Sequence, residues 1–337
     1  MKLWLERGAW VSNKARNLLA ALNPAEVKRV GVIRHAALGD MVLTRPFLIE
    51  ARRFFPNAIL TLSTVSHYTY GTPDDLVDRV HTMYGNDRRE VKLAQQIRQA
   101  RELGEQDILF DLANTSRSLW LGLVNKARIK IGFPYRPWQQ RFYFDAAVWR
   151  SDFLFEAVNM LDMLHLLGAN TQFPPQFALP GEPQTRQRPC LVYFTSASTP
   201  NKCWPQENFV KLIDQCATAF PKHDHILLEG KAEWESVSPL MPQLQQHKNV
   251  QVQKAMPLDQ TIAFLKSAAC LISNDNGIRN LAISTETATV GIFFSTIPYR
   301  YWPRYGRHTA VFNQDGSIPS VSAVYQAIEN VLAPAQA

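Results

Sequence analysis

The feature that most limits how this chain can fold is a twice-repeated alternation of short apolar runs with longer amphipathic ones. From Lys28 onward, RVGVIRH, AILTLSTV, RVHTMYG, DILFDLAN and RIKIGF read as strands. Between them DMVLTRPFLIEARRFF, residues 88–103 and SRSLWLGLVNKA read as helices, and FEAVNMLDMLHLLG closes the half. Strands that are apolar on both faces and separated by helices belong in a parallel sheet covered on both sides. The stretch ANTQFPPQFALPGEPQTRQRP, rich in proline and polar residues, then interrupts the pattern as a linker. Beyond it CLVYFTSAS, HILLEG, VQVQ, CLISND and TATVGIFF restart the strands, with helices expected over 206–220, 233–244, 258–268 and 278–284. The expectation is an α/β protein of two Rossmann-like halves with ligands held where the strands end, in a cleft between the carboxyl edges. The division reads as 1–24 for an N-terminal segment, 25–170 for the first domain and 171–189 for the linker. Residues 190–318 form the second domain, and the tail over 319–337 is helical up to Leu332.

Trp4, Val11, Ala15, Leu18 and Leu22 fall on one helical stripe, with Lys2, Arg7, Lys14 and Arg16 nearby. A basic amphipathic helix of this kind either lies in a membrane interface or packs on its own domain. The chain carries a formal charge of +7 over 337 residues, which points to an anionic partner such as a phosphorylated ligand, an acidic membrane surface or nucleic acid. Nucleic acid is the weakest of these, because no module interleaving aromatic and basic residues is present. Cys190, Cys203, Cys216 and Cys270 form no C-x-x-C pair, so reduced thiols are expected, with neither a zinc site nor a disulfide framework. No apolar run approaches the ~20 residues that span a bilayer, and Glu6 and Arg7 interrupt the start of the chain, so a cytoplasmic protein is expected.

The dinucleotide fingerprint, the phosphate-binding Walker lysine and the nucleophile elbow are absent from the sequence, and three other segments carry chemistry. RHAALGDMVLTRP follows a strand directly, with Gly39 expected at a tight turn and Asp40 at a helix start. Asp40 there suits two roles, a helix cap and a general base in a cleft. TSASTPNKCWP places small hydroxyl residues and Lys202 before a helix, the composition of a phosphate cradle. ISNDNGIRNLAI ends a strand at Asp275, turns at Gly277 and starts a helix whose free N–H groups suit a diphosphate.

Taken in order, GDMVLTRP…FP, FDLANTSRS, SASTPNKCWP, LLEGKAEWE, AMPLDQ and SNDNGIRNLA resemble glycosyltransferase family 9, the ADP-heptose:lipopolysaccharide heptosyltransferases, over about residues 28 to 312. That resemblance implies a GT-B fold: two Rossmann-like parallel-sheet domains facing across a cleft, with a C-terminal helix packing back toward the N-terminal domain. It implies an inverting, metal-independent transfer of heptose from a nucleotide sugar, ADP-heptose, to the lipid A–octulosonate core. No cofactor is expected beyond that co-substrate, and the enzyme would touch the anionic inner face of the membrane peripherally. Asp40 matches the proposed base, and Lys202 the cation beside the leaving diphosphate. On the donor side Ser198 matches the phosphate loop, Met256 borders adenine, and Asp275, Asn276, Gly277 and Asn280 occupy the D-T-G-x-x-H motif. Glu233 matches a ribose-binding glutamate, with Glu229 and Glu235 as competitors. On the acceptor side stand Arg34, Gly39 and Arg117, with Arg136 and Arg141 in the PYRPWQQR loop. Guanidinium forks suit the carboxylates and phosphates of such an acceptor.

The departures from the family pattern are specific. Asn276 and Asn280 replace the motif's threonine and histidine, Ala36 and Ala37 replace a hydroxyl pair, and Asn114-Thr115 replaces Q-G. Asparagine donates hydrogen bonds but cannot carry an imidazolium charge. A different nucleotide sugar, weakened catalysis or a non-catalytic binding protein are the alternatives these changes raise.

Overall fold

The computed structural model describes residues 8–88, 90–134 and 139–333, and the chain divides into two compact units, Met1–Phe177 and Ala178–Ala337. In the first unit the strands are β1 (Ala9–Val11), β2 (Arg29–Ile33), β3 (Ile59–Val65), β4 (Arg79–Met83), β5 (Gln106–Asp111), β6 (Ala127–Gly132) and β7 (Ala146–Val148). They form one sheet in the order β1-β7-β6-β5-β2-β3-β4, parallel except for the antiparallel pair β1–β7. Its helices are α1 (Asn13–Ala20), α2 (Leu38–Val42), α3 (Arg45–Phe54), α4 (Leu93–Arg101), α5 (Ser116–Val124), α6 (Gln139–Phe142) and α7 (Glu156–His165). Val30, Val32 and Ile33 of β2 and Phe110 of β5 have no exposed surface, and Phe47 of α3 meets Phe110 edge to face at 5.1 Å. Central strands buried on both faces explain why their sequences read as continuous apolar runs.

The second unit repeats the plan with β8 (Cys190–Phe194), β9 (Asp224–Leu228), β10 (Val250–Gln253), β11 (Cys270–Asn274), β12 (Thr289–Ile292) and β13 (His308–Val311). All are parallel, in the order β10-β9-β8-β11-β12-β13. The helices are α8 (Gln206–Ala219), α9 (Leu258–Lys266), α10 (Gly277–Ser284) and α11 (Val321–Leu332). The expected α/β architecture of two parallel-sheet domains is therefore present.

Several local expectations change. The N-terminal stripe is not one helix: residues 9–11 form the edge strand β1, and α1 starts only after Ser12, whose hydroxyl accepts from Ala15 N–H at 3.1 Å. Trp4, Lys2 and Arg7 lie outside the described residues. The segment DMVLTRPFLIEARRFF breaks into α2 and α3, because Pro46 carries no N–H and is accommodated only in the first turn of a helix. Residues 233–244 form the 3₁₀ turns Glu233–Glu235 and Ser238–Gln243 rather than a helix; Pro239 and Pro242 interrupt the α ladder. Gly39 and Gly277 are helical residues with no left-handed backbone, so neither makes the tight turn expected of it. In the C-terminal helix α11, Val324, Ala327, Ile328 and Val331 join the core formed with α8 and the β8–β12 sheet. The stretch over 171–189 is divided between the units. Gln172 N–H bonds Glu50 and Arg45 bonds Phe177 O at 2.6 Å in the first, while Lys266 holds Leu179 O at 2.7 Å and Arg186 lies over the Phe264 ring in the second.

Two histidines, His225 buried and His308 partly buried, make the second unit acid-sensitive. His225 pairs with the Tyr193 hydroxyl at 3.0 Å and Phe220 O at 3.3 Å; His308 pairs with the Thr289 hydroxyl at 3.0 Å. Burial lowers both from 6.5 to about 4, with the nearby Arg279 and Arg307 adding to the effect on His308. Between those values the unfolded chain binds a proton that the folded chain refuses, so stability is complete above pH 6.5 and declines as the pH falls toward 4. Each histidine is expected to cost about 2 kcal/mol at pH 5 relative to pH 8. Urea unfolding across that range checks it; a midpoint that stays level down to pH 5 contradicts the assignment.

Candidate active site

Parallel α/β sheets bind ligands where neighbouring crossovers leave the sheet in opposite directions, outside the carboxyl ends of the strands. In the first unit that point falls between β2 and β5, in the second between β8 and β11. The sequence-picked residues gather at both.

At the first, Ile33 of β2 stands opposite Asp111 of β5, and the chain leaving β2 carries Arg34. Arg34 is buried; its Nη1 donates to Leu112 O at 2.6 Å and its Nη2 to Asp40 O at 3.2 Å and Glu156 Oε1 at 3.3 Å. The same Nη2 lies 3.6 Å from the Asp40 carboxylate, which keeps 36% of its side-chain surface exposed. Asp40 is thus gripped from behind by a guanidinium while its carboxylate still reaches solvent, the exposure a proton acceptor requires. It also occupies the first turn of α2, where a negative charge suits the helix dipole. Both terminal nitrogens of Arg34 are bonded inside the protein, which places its guanidinium directly behind Asp40. Gly39, buried beside Asp40 in α2, leaves no side chain there.

Glu156 was not foreseen. It is fully buried at the start of α7, where it accepts from Arg34 and from the Nε and Nη2 of Arg150, the Nε at 3.0 Å. Arg150 lies over the Phe133 ring. No motif signals this clamp, because Glu156 lies 122 residues from Arg34 in sequence. Arg117, in the first turn of α5, stands at the same carboxyl edge and donates to Asn86 Oδ1 at 3.1 Å. Arg141 is exposed on the short α6, two strands away from β2 in sheet order, and Arg136 lies outside the described residues.

In the second unit the four strands β10, β9, β8 and β11 are consecutive, and each contributes the residues just past its end. Met256 follows β10, Glu233 follows β9, Ser198 and Lys202 follow β8, and Asp275 follows β11. Lys202 Nζ lies 3.6 Å from Asp275 Oδ2, which also accepts from the Thr296 hydroxyl at 2.8 Å. Asn276 caps α10: its Oδ1 accepts from Arg279 N–H at 2.8 Å and its Nδ2 donates to Ser196 O at 2.9 Å, tying the β8 loop to the helix tip. Asn274, two residues earlier, also holds the β8 loop, donating to Thr195 O and accepting from Trp204 N–H. Thr296 and Asn274 were missed from sequence, although Asn274 lies inside the segment singled out. Among the glutamates, Glu229 is buried against Lys254 at 2.8 Å and Val237 N–H, and Glu235 accepts from Ala232 N–H, whereas Glu233 is exposed.

Arg279 does not stand in for the missing histidine at the helix tip. Its guanidinium is fully buried, lies 4.8 Å from the Phe293 ring centroid and donates to Tyr301 O at 2.7 Å. A Cβ at Gly291 would collide with it, so that glycine opens its slot. Burial lowers Arg279 to about 10, with Asp275 acting in the opposite sense. Asn280 is buried one residue further on, with no partner for its Oδ1.

Chemically, the first edge offers a carboxylate gripped by arginine, and the second a lysine and a capped helix tip suited to a diphosphate. Removing Glu156 tests the first. Glu156→Gln leaves two guanidinium groups short of their shared anion and is expected to destabilise the first unit by about 3–5 kcal/mol. Asp40→Asn, half exposed, is expected to cost well under that; equal losses in denaturant titration would mean that Asp40, not Glu156, anchors Arg34.

A family model described as glycosyltransferase family 9 (heptosyltransferase) matches residues 96–327. No curated protein sequence matches the chain. Among solved structures, Escherichia coli heptosyltransferase WaaC with ADP-2-deoxy-2-fluoro heptose is 18% identical with a TM-score of 0.71, over 90% of this chain and 99% of that one. A family 9 glycosyl transferase from Veillonella parvula is 19% identical with a TM-score of 0.68, over 92% and 98%. E. coli ADP-heptose lps heptosyltransferase II is 16% identical with a TM-score of 0.65, over 90% and 98%. Among the described residues, no helix is long and apolar enough to cross a membrane.

Proposed function

The chain belongs to glycosyltransferase family 9, and from that membership we propose that it transfers a heptose from ADP-heptose to the lipid A–octulosonate inner core of lipopolysaccharide, with inversion. The observation that carries this reading is the row formed by Met256, Glu233, Ser198, Lys202 and Asp275 at the ends of four consecutive strands. Its parts fit a nucleoside diphosphate sugar from end to end. Met256 borders the base, Glu233 binds the ribose diol, and Ser198, Lys202 and the α10 tip with Gly277 hold the diphosphate. Asp275 holds the sugar and keeps Lys202 poised.

Asp40 accepts the proton of the acceptor hydroxyl as that oxygen attacks the anomeric carbon. The bond from that carbon to the diphosphate oxygen breaks, and the leaving ADP takes the electron pair. Lys202 and the helix N–H groups bind the charge that builds on it, so the leaving group requires no resident metal. Arg117, with Arg136 and Arg141, binds the acidic groups of the acceptor. Because that acceptor is anchored in a membrane, the enzyme works at its cytoplasmic face, with the basic surface toward anionic lipid.

A second reading, a different nucleotide sugar or weakened catalysis, draws on one observation. Asn280 stands where the family pattern has histidine, and Arg279 is turned into the core, so the adjacent arginine does not replace the imidazolium.

Incubation with ADP-heptose and a truncated core acceptor, followed by mass spectrometry, should show a gain of one heptosyl residue. Absence of product with every nucleotide sugar tried refutes transfer by this chain. Asp40→Ala is expected to lower kcat by about 10²–10⁴ while ADP binding stays within twofold. Lys202→Ala is expected to lower kcat by about 10²–10³. An Asp40→Ala enzyme of normal turnover would remove the base from the mechanism.

A further inference from the structure

At the β2–β5 crevice of the first unit, buried polar atoms stand without partners. His35 retains 9% of its surface, and neither of its ring nitrogens has a hydrogen-bond partner. Asn114 Oδ1 is likewise buried and unpaired. The two sit at matching places in the sheet: Leu112 N–H bonds Ile33 O at 3.0 Å, His35 lies two residues beyond Ile33, and Asn114 two beyond Leu112.

Asn114 is held there at a cost. Its φ of 49° is left-handed, a conformation fixed by Asp111, which accepts from Ala113 N–H at 2.9 Å, Asn114 N–H at 3.0 Å and the Ser118 hydroxyl at 2.8 Å. A backbone bent this way that then buries an unsatisfied carbonyl is what a ligand site costs a fold. Nearby histidines differ. His81 is satisfied by the Ser63 hydroxyl at 2.9 Å and Gln99 O at 2.8 Å, and His67 Nδ1 accepts from Asn86 N–H at 3.2 Å.

We infer that His35 and Asn114 determine which acceptor binds, by hydrogen-bonding the hydroxyls of an acidic sugar whose carboxylate pairs with Arg117. This rests on the reading of the first unit as the acceptor side. The chemistry suits that ligand. A neutral imidazole offers one N–H donor and one lone pair, the Asn114 carbonyl accepts a second hydroxyl, and a guanidinium forks onto a carboxylate. Burial, then the charges of Arg117, His81 and His67, keep His35 neutral by lowering it from 6.5 to about 3. It therefore serves as a fixed donor–acceptor pair at any physiological pH, and Asp40 remains the base.

Substitution separates recognition from structure. His35→Leu fills the same space and removes two unsatisfied nitrogens, so it should melt about 2–4 °C higher. The same variant should raise the acceptor KM about tenfold and leave the ADP-heptose KM within twofold. His35→Gln, which keeps a donor and an acceptor, should recover most of the acceptor affinity. An acceptor KM within twofold of wild type in His35→Leu overturns the inference, as does a rise in both KM values together.

A second experiment needs no turnover. With ¹⁵N-histidine-labelled full-length protein, millimolar free 3-deoxy-octulosonate should shift the His35 ring nitrogens, and a neutral methyl hexoside should shift them less. Unmoved His35 resonances overturn the inference whether or not the product assay shows heptosyl transfer. Shifted resonances with no product uphold it while the transferase reading fails.

Discussion

Both units depend on one topological constraint: a parallel sheet whose first strand has its sequence neighbours on one side and its fourth on the other. In each unit the chain winds outward from a central strand, β2 or β8, returns, and winds the other way from β5 or β11. The crossovers diverge there, so the carboxyl ends of the central pair are the one place on the edge where no helix covers the backbone. Arg34, Asp40 and Arg117 follow the central pair of the first unit and Ser198, Lys202 and Asp275 that of the second, while Glu233 and Met256 follow the flanking strands β9 and β10 at the same carboxyl edge. The site is a consequence of winding, and side chains only select what binds.

The two crevices use their polar groups differently. In the second unit asparagines stitch loops together: Asn274 and Asn276 link the β8 loop to the end of β11 and the start of α10. In the first unit the stitching is ionic, through the buried Glu156, which holds the buried Arg34 and the partly exposed Arg150. Removing that carboxylate would leave Arg34 buried without its anion, so the position of Asp40 is coupled to the folding of α7, far away in sequence.

Much of the fold was legible because central parallel strands are apolar on both faces and cannot be mistaken for amphipathic helix. What escaped was short or peripheral. β1, β7 and β13 span three, three and four residues, too few for a periodicity to show. The misread helix over 233–244 carried the right apolar spacing but two prolines, which confine it to 3₁₀ turns. In the site, residues of the strand-end loops were found because each sits beside a strand and a helix start, and local pattern reveals both. Glu156, Thr296 and His35 were not, because their importance comes from partners, or the want of them, distant in sequence.

That distinction bears on how the sequence departures are to be weighed. Asn276 in place of threonine is a substitution within one role, since either side chain caps α10, and the asparagine gains a second bond to Ser196 O. Asn280 in place of histidine is not, since asparagine carries no charge and the adjacent Arg279 is committed to Phe293 and Tyr301 O behind the helix. Ala36 and Ala37 likewise remove hydroxyls from the β2 loop, but there His35 and Asn114 bring three unpaired polar atoms to the same edge. The second unit thus has an uncharged side chain where the family pattern has histidine, whereas the first has other hydrogen-bonding groups where the pattern has hydroxyls. A chain drifting away from catalysis would have no reason to bury unsatisfied nitrogens and a strained asparagine at that edge, because apolar residues would fold more stably there. The presence of those costly groups argues that the first unit is shaped around a ligand, and that the specificity proposed for this family member lies there.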